Sequence, residues 1–231
     1  MFRNLFTGLR IVRHKEAARS LEPGTGQAVS PLLKPYIEET FGPVKAVLHE
    51  LASDGIHVDV YVIPPVEGTN YLTLVTSGMS GAPMKPPKGR ERFKFLELVA
   101  LLPPDWPLEE TDLSREEYYW PIRCIKTLAR FPHQHHTWLN IGHSIPNGNP
   151  VKAYAPDTQL CSSVLAPFLG RKELPRLKLE DGNWIDFLQV VPIYESEMRY
   201  LLKHGAVRLL TKLSPENAPI IVNPRRINCC V

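Results

Sequence analysis

The densest group of side chains that could do chemistry is a run of histidines between Phe131 and Val151: His133, His135, His136 and His143. Imidazoles gathered on one segment can bind zinc or move protons near neutral pH. A metal-dependent hydrolase also needs a carboxylate as a base or a further ligand, and no Asp or Glu lies between Phe131 and Val151. No HExxH motif occurs. The segment therefore favours solvated or hydrogen-bonded loop histidines, and a metal-dependent hydrolase stays as an alternative.

No nucleophile or cofactor motif stands out elsewhere in the chain. Ser77 and Ser80 flank Gly78, but the GxSxG elbow that would activate a serine is absent. Cys124 follows Ile122 on an apolar helical face, which is typical of a core thiol. We therefore expect a protein that is not an enzyme, with no catalytic, cofactor-binding or metal-binding residue.

Length and composition are those of an ordinary globular protein. The chain has 231 residues, of which 43% are hydrophobic and 22% are charged, and this length suffices to fold without a metal or a disulfide. A formal net charge of +3 gives no strong field toward nucleic acid or a membrane, so we expect neither as a partner. The four cysteines include no CxxC pair, and the first residues lack the apolar core of a signal peptide. Both features predict reduced thiols and a cytoplasmic location.

Hydrophobic spacing divides the chain into helices and strands. Leu33, Ile37 and Phe41 share one face of a predicted helix that Gly42 closes. Alternating apolar residues predict a meander of four strands at 44–51, 56–63, 71–77 and 93–102, with a hairpin turn at Asp54-Gly55. A central helix follows a cap at Ser114, and a long loop spans 132–150. Further strands are predicted at 160–165 and 184–191, and two helices, split at Gly205, at 195–204 and 206–213.

This succession of elements predicts an α+β fold. We expect a mixed, largely antiparallel central sheet flanked by helices, because hairpin-linked strands come first and helices later. The domain is expected to cover residues 31–213. An N-terminal arm and linker would occupy residues 1–30, where a polar run with Pro and Gly precedes the first helix. Residues 214–231 would form a C-terminal tail.

Three stretches are more specific than a generic α/β sequence. They are HVDVYVIPP followed by YLTLVTSGMS (57–80), LLPPDWP followed by WPIRCIKTLARFP (101–132), and TWLNIGHSIPNG (137–148). In this order and at these separations they resemble the suppressor-of-fused domain family. The resemblance extends from about Leu32 to about Leu213 and so includes most of the chain.

The resemblance implies a module that binds another protein. Animal members carry a second C-terminal domain and hold transcription factors by adding the ligand's strand to a sheet edge. Bacterial members are usually single domains like this one, and many are thought to be immunity proteins that neutralise a co-encoded toxin. We therefore expect an immunity or antitoxin-like protein, whose partner is a toxin or a regulatory protein. The alternative, an adaptor that binds an extended peptide by strand addition, predicts an unpaired sheet edge near 73–78.

The partner-binding face is expected beside the strand that ends in the Gly-Met-Ser turn, because prolines hold the following loop open. Trp106 and Trp138 fall in loops and offer large contact area, whereas Trp120 and Trp184 take buried positions in regular elements. The acidic group near Glu109 suits a basic partner, and the basic run at 85–94 suits an acidic one. The predicted partner-binding residues are Ser77, Gly78, Met79, Ser80, Met84, Trp106, Glu109, Glu110, Trp138, His143 and Asn147.

Overall fold

The computed structural model describes residues 3–4, 9–10, 29–49, 55–169, 171 and 173–230. Most of the arm and linker predicted over residues 1–30, and the hairpin residue Asp54, lie outside these residues. Of the arm, Arg3–Asn4 (β1) and Leu9–Arg10 (β2) pair as two short antiparallel strands. Within the described residues, no helix is both long and apolar enough to cross a membrane.

The first helix, α1 (Leu33–Phe41), ends at a glycine that the packing requires. Leu33, Ile37 and Phe41 are buried on the side of the helix that faces the sheet. Gly42 follows with a φ of 116°, and a Cβ at that position would lie 2.5 Å from a methyl carbon of Val66. The predicted helix and its end are therefore confirmed.

Four consecutive antiparallel strands form the first half of the main sheet: β3 (Ala46–Leu48), β4 (Asp59–Ile63), β5 (Leu72–Ser77) and β6 (Phe95–Leu102). Their order in the sheet is their order in the chain, so the predicted meander is confirmed. β5 lies inside the sheet, paired with β4 on one side and β6 on the other. The unpaired edge predicted near 73–78 is therefore wrong. Every residue of β5 is buried, which is typical of an interior strand covered on both faces.

The second half of the sheet is built around its longest strand, β10 (Trp184–Ile193). β10 runs parallel to β6 and antiparallel to two shorter strands on its other side, β9 (Arg176–Lys178) near its start and β8 (Ser162–Ala166) near its end. A short edge strand, β7 (Ser144–Pro146), pairs with β8. The order β3-β4-β5-β6-β10-β8-β7 confirms a mixed, largely antiparallel sheet. β7 and β9 were not predicted, and β7 falls inside the segment expected to be a loop.

Helices cover both faces of this sheet. α3 (Glu116–Gln134), which follows the short α2 (Glu110–Leu113), packs against one face through Trp120 and its apolar neighbours. α1, α4 (Glu195–His204) and α5 (Ala206–Leu213) pack against the opposite face. The predicted split at Gly205 is confirmed. The cap predicted at Ser114 is wrong, because α3 begins after Arg115 and the Ser114 hydroxyl donates instead to the carbonyl oxygen of Thr111 at 2.7 Å.

The segment 214–230, predicted as a tail, packs along the domain. Val222 is buried, and its N–H donates to the carbonyl oxygen of Leu101 at the end of β6, at 2.8 Å. The side-chain amide of Gln189 donates to the carbonyl oxygen of Ile220 at 2.6 Å. These bonds tie the segment to two neighbouring strands of the main sheet.

Candidate functional site

A buried carboxylate, Glu97 of β6, organises the Gly-Met-Ser turn at the end of β5. Glu97 Oε1 accepts hydrogen bonds from the N–H of Gly78 at 3.1 Å, the N–H of Ser80 at 2.9 Å and the hydroxyl of Ser80 at 2.6 Å. Its Oε2 accepts a bond from the hydroxyl of Thr76 at 2.6 Å. The ladder between β5 and β6 stops at Val75, so this carboxylate satisfies backbone donors that lack a strand partner.

The same turn requires a glycine and engages a histidine. Gly78 has a φ of 132°, and a Cβ there would meet the carbonyl oxygen of His57 at 2.0 Å. His133, in the last turn of α3, lies with Nε2 3.1 Å from the carbonyl oxygen of Met79. Burial raises the pKa of Glu97 and lowers the pKa of His133 to about 4. The turn is therefore fixed from the strand side and from the helix side.

The loop that leaves this turn is fastened to the segment after α3. The N–H of Lys85 donates to the carbonyl oxygen of Thr137 at 2.9 Å, and the N–H of Leu139 points at the sulfur of Met84 at 3.4 Å. The N–H of Met84 donates to the carbonyl oxygen of Lys94 at 2.7 Å, which closes the loop on itself. Both ends of the loop are thus held in place by backbone bonds.

A row of partly exposed rings lies where this loop meets the segment after α3. Phe93 packs against Trp138 with ring centroids 6.2 Å apart, and His143 meets Trp138 edge to face at 5.0 Å. The guanidinium of Arg92 lies 4.3 Å from the Phe93 ring centroid. Burial lowers the pKa of His143 to about 4, although its bond to the Trp138 backbone opposes this shift. His143 is therefore neutral at pH 7 and supports Trp138.

The row continues onto the start of β10, because the short 3₁₀ turn Glu91–Phe93 lies against that strand. Trp184 carries Arg176 over its ring at 4.8 Å and Lys178 at 5.9 Å. Arg176 also pairs with the buried Asp186 at 3.0 Å. Burial raises the pKa of Asp186, while the charges of Arg176 and Arg92 oppose the shift. We call the resulting continuous patch the aromatic–basic surface, formed by Arg92, Phe93, Trp138, Arg176, Lys178 and Trp184.

Trp184 was predicted to be buried and is instead partly exposed, whereas Trp120 is buried as predicted. The sequence contains one signal of this difference. Asp186 lies two residues after Trp184 and so projects from the same face of the strand. A carboxylate at that position indicates that charged groups lie on this face near the start of the strand.

Five of the predicted partner-binding residues are buried and lie in or beside the Gly-Met-Ser turn and the start of its loop: Ser77, Gly78, Met79, Ser80 and Met84. Their arrangement around Glu97 positions the loop that carries Arg92 and Phe93. Trp138 and His143 lie in or beside the aromatic–basic surface itself. Seven of the predicted residues are therefore brought to one end of the sheet.

The remaining predicted residues lie at the other end of α3. Trp106 follows the end of β6, and its Nε1 donates to the carbonyl oxygen of Tyr118 in the first turn of α3, at 3.0 Å. Glu109 and Glu110 form the start of α2, just before that turn. The Asn147 side chain bonds the carbonyl oxygens of residues 152 and 153. Because α3 has 19 residues and so spans about 28 Å, Trp106 and Trp138 cannot line one groove.

The four histidines of the first motif do not converge. The His133 ring bonds the backbone of Met79, His143 packs on Trp138, and His135 packs on Phe131 in a tilted arrangement with centroids 4.5 Å apart. His136 is exposed, with a φ of 49°. In the described part of the chain, no three His, Cys, Asp or Glu side chains lie close enough to hold a metal ion.

Comparison with known proteins gives one family and one fold. The sequence model of the suppressor of fused protein family matches residues 54–227, and no curated protein matches the chain. The crystal structure of the Sufu–Fu complex is similar, with a TM-score of 0.61 and 16% identity over 86% of this chain and 91% of that one. A structure described as a suppressor of fused homologue from Neisseria gonorrhoeae FA 1090 has a TM-score of 0.56 and 14% identity, over 84% and 93% of the two chains. Drosophila Suppressor of Fused has a TM-score of 0.53 and 16% identity over 74% of this chain, and the match spans 42% of that protein.

Proposed function

The chain belongs to the suppressor of fused protein family, and on that basis we propose that it is a protein-binding module of the immunity or antitoxin type, which neutralises a partner toxin. The observation that carries the proposal is the aromatic–basic surface, where Phe93, Trp138 and Trp184 are partly exposed and fixed in position. Sufu, a protein of this fold, was solved in a complex with Fu, which supports a protein as the partner.

The composition of the surface suits a protein interface. Trp and Arg are the residues most enriched among those that dominate binding energies. Here the rings and the guanidinium groups are already stacked on one another in the free protein. Little side-chain entropy is then lost when a partner covers them. A standard interface of roughly 800 Å² per partner would cover the surface and the Pro-rich loop beside it.

Strand addition, the alternative mode of binding, is limited to the edges of the sheet. β7 is a poor template, because Pro146 has no N–H and its carbonyl oxygen already accepts a bond from Gly148 at 3.0 Å. β3 pairs on one side with β4, and no second neighbour pairs with it among the described residues. An adaptor that binds an extended peptide would therefore use β3, far from Trp184 in the strand order, or β9, which among the described residues pairs only with β10 and lies beside Trp184.

The first test is capture followed by quantitative binding. The tagged chain would be used to isolate proteins from cells of its own source, and a protein identified by mass spectrometry would be purified for calorimetry. Trp184→Ala should weaken this binding about tenfold or more, whereas the matched control Trp106→Ala, at the other end of α3, should change it less than about twofold. Equal affinities for the two variants would reject the aromatic–basic surface and favour β3.

The immunity role is tested separately, by toxicity. The captured protein would be expressed alone and together with the wild-type chain in a host cell, and growth would be compared. We expect the captured protein to arrest growth and the chain to restore it, with Trp184→Ala restoring it less than Trp106→Ala. If the captured protein binds tightly but does not arrest growth, it is not a toxin, and the chain is then a regulatory binding module.

A further inference from the structure

Arg176 of the aromatic–basic surface pairs with Asp186, but the other basic side chains of the surface, and Lys94 at its rim next to Phe93, are not paired in this way within the described part of the chain. Among the described residues, no ion pair is formed by Arg92, Lys94 or Lys178. Each of the three lies instead over an aromatic ring, at 4.3 Å for Arg92, 5.4 Å for Lys94 and 5.9 Å for Lys178. A ring holds a cation without cancelling its charge. These groups can therefore meet an incoming anion.

The carboxylates nearby are already engaged within the molecule. Asp186 pairs with Arg176. Glu91 accepts a bond from the N–H of Gly89 at 2.8 Å, and Asp181 accepts bonds from the backbone and the side chain of Asn183. These internal bonds lower the pKa values of Glu91 and Asp181. The surface thus presents unpaired cations beside satisfied carboxylates.

We propose that the aromatic–basic surface binds an acidic segment of the partner protein. This inference rests on the proposed function and adds the chemistry of the partner. Carboxylates of the segment meet Arg92, Lys94 and Lys178, while its apolar side chains pack on Trp184 and Phe93. Charge complementarity of this kind speeds association and selects against partners of the wrong sign.

Two features favour an acidic protein segment over a single-stranded nucleic acid. Asp186 and the neighbouring Glu91 and Asp181 interrupt the positive field, and a backbone with a phosphate at every nucleotide would be repelled there. A polypeptide can place its carboxylates opposite the cations and leave neutral residues opposite the aspartates. The small net charge of +3 also lacks the strong positive field that is typical of nucleic-acid binding.

The test uses fluorescence anisotropy with three probes on the whole chain: a fluorescein-labelled peptide of alternating Glu and Leu, the matching Lys and Leu peptide, and an oligothymidylate of the same length. We expect the acidic peptide to bind at least about tenfold more tightly than either other probe, a difference of about 1.4 kcal/mol. Raising the salt concentration should weaken this binding.

A matched pair of double variants locates the site. R92E with K178E reverses two exposed charges of the surface, and R199E with K203E reverses two exposed charges of α4 on the opposite face of the sheet. The first pair should lose at least about tenfold in affinity for the acidic peptide, and the second pair should keep the wild-type value. Melting temperatures of both double variants show whether they fold. K178E alone is a second test of the surface that reverses only one charge.

Equal peptide affinities for the two double variants would overturn the inference, and so would tighter binding of the oligothymidylate. The captured partner separates this inference from the proposed function. If a captured protein binds both double variants with the wild-type affinity, the inference of an acidic segment is overturned and the protein-binding function remains. If the acidic peptide binds selectively but no protein is captured, the result supports the charge preference of the surface and contradicts the proposed function.

Discussion

Two glutamates, Glu97 in β6 and Glu197 in α4, each have 0% exposure and are held by different kinds of partner. Glu97 is surrounded by hydroxyl and backbone N–H donors, and no cation from the described part of the chain is bonded to it. Glu197 accepts two bonds from the guanidinium of Arg226, and further bonds from the N–H of Tyr194 at 2.9 Å and of Cys229 at 3.0 Å. Glu97 is therefore stabilised by neutral dipoles alone, whereas Glu197 is stabilised by a cation as well as by backbone dipoles.

The two environments move the pKa in opposite directions. Burial raises the pKa of Glu97 above its ordinary value of 4.5, because its neutral donors compensate only part of the lost hydration. For Glu197, burial also acts to raise the pKa, but the bonds from Arg226 and the backbone outweigh it, so the pKa is lowered. A full cation therefore stabilises a buried carboxylate where dipoles alone do not.

The positions of the two glutamates connect this difference to function. Glu97 holds the turn from which the loop bearing Arg92 and Phe93 begins. Glu197 holds the last part of the segment 214–230, near Arg226 and Cys229, where Cys229 and Cys230 pack against the cluster of α4 and α5. We therefore expect changes at Glu97 to act mainly on binding, and changes at Glu197 to act mainly on stability.

The largest expected effect comes from breaking the Arg226–Glu197 pair. Arg226→Met should lower the free energy of unfolding by about 3–5 kcal/mol, because it leaves the Glu197 carboxylate buried without its cation. Urea denaturation measures the loss. The double variant E197Q with R226M should recover part of it, since no charge is then stranded. A loss below about 1 kcal/mol for Arg226→Met would show that the pair is unimportant.

A smaller effect on stability is expected at Glu97. Glu97→Ala leaves the buried donors of Gly78 and Ser80 without their acceptor and leaves the Thr76 hydroxyl only its longer bond to the carbonyl oxygen of Leu98 at 3.4 Å, at about 1–3 kcal/mol. Glu97→Gln should cost less, because its oxygen can accept the bonds of the turn while its amide donates to the rotatable hydroxyl of Thr76. Both variants are compared by urea denaturation, and Glu97→Ala should also weaken binding of the acidic peptide. If Glu97→Ala binds the acidic peptide with the wild-type affinity, the turn does not position the aromatic–basic surface.

The loss of stability caused by Glu197→Gln and the loss caused by Glu97→Gln should depend on pH with opposite signs. Glu197 has a lowered pKa, so its contribution is present above pH 4.5 and is lost as the pH falls through the folded-state pKa. Glu97 has a raised pKa, so its contribution is present below pH 4.5 and is lost as the pH rises through the folded-state pKa. The destabilisation by Glu197→Gln should therefore shrink toward acid pH, and that by Glu97→Gln should shrink toward neutral pH.

Differences between each variant and the wild type are the appropriate quantity, since buried histidines titrate in the same range. The pKa values of His133 and His143 are lowered to about 4, so protonation destabilises the fold between about pH 6.5 and 4 in every variant. This common contribution cancels in the difference. The same sign of pH dependence for both glutamate variants would contradict the contrast between the two environments.

The smallest effect is expected at the far end of α3. Trp106 bonds Tyr118 and packs edge to face on it with ring centroids 6.3 Å apart, and it lies away from both glutamates. Trp106→Phe keeps a ring but removes the indole N–H, so the expected loss is about 1 kcal/mol of stability, with no change in peptide affinity. Weakened peptide binding, measured by anisotropy, would extend the binding face along the whole helix.

Hydrophobic spacing was sufficient to predict α1, α3, α4 and α5 and the strands β3 to β6, but it did not predict the short α2. Leu33, Ile37 and Phe41, and the alternation in β4, report directly on which face of an element is buried. β7 and β9 were missed because each has three residues and no longer apolar run around it, whereas β3, equally short, lies within the apolar stretch 44–51. The interior position of β5 follows from the predicted meander, because β5 pairs with its chain neighbours β4 and β6; the unpaired edge predicted near 73–78 was therefore inconsistent with the meander.

The site could be predicted only in part, for a related reason. The motif that contains Trp138 and His143 was found, since both lie in one short stretch. Trp184 was missed, because its strand position shows which face it takes and not whether a helix covers that face. The Glu197–Arg226 pair joins residues 29 positions apart, a separation at which spacing carries no information.

The most direct test of the binding surface is hydrogen exchange of the whole chain with and without its captured partner. We expect slowed exchange in the backbone at 91–94, 137–143 and 176–186, where the aromatic–basic surface lies, and no change at 105–113 beside Trp106. Protection confined to 105–113 or to β3, with unchanged exchange around Trp138 and Trp184, would contradict the account.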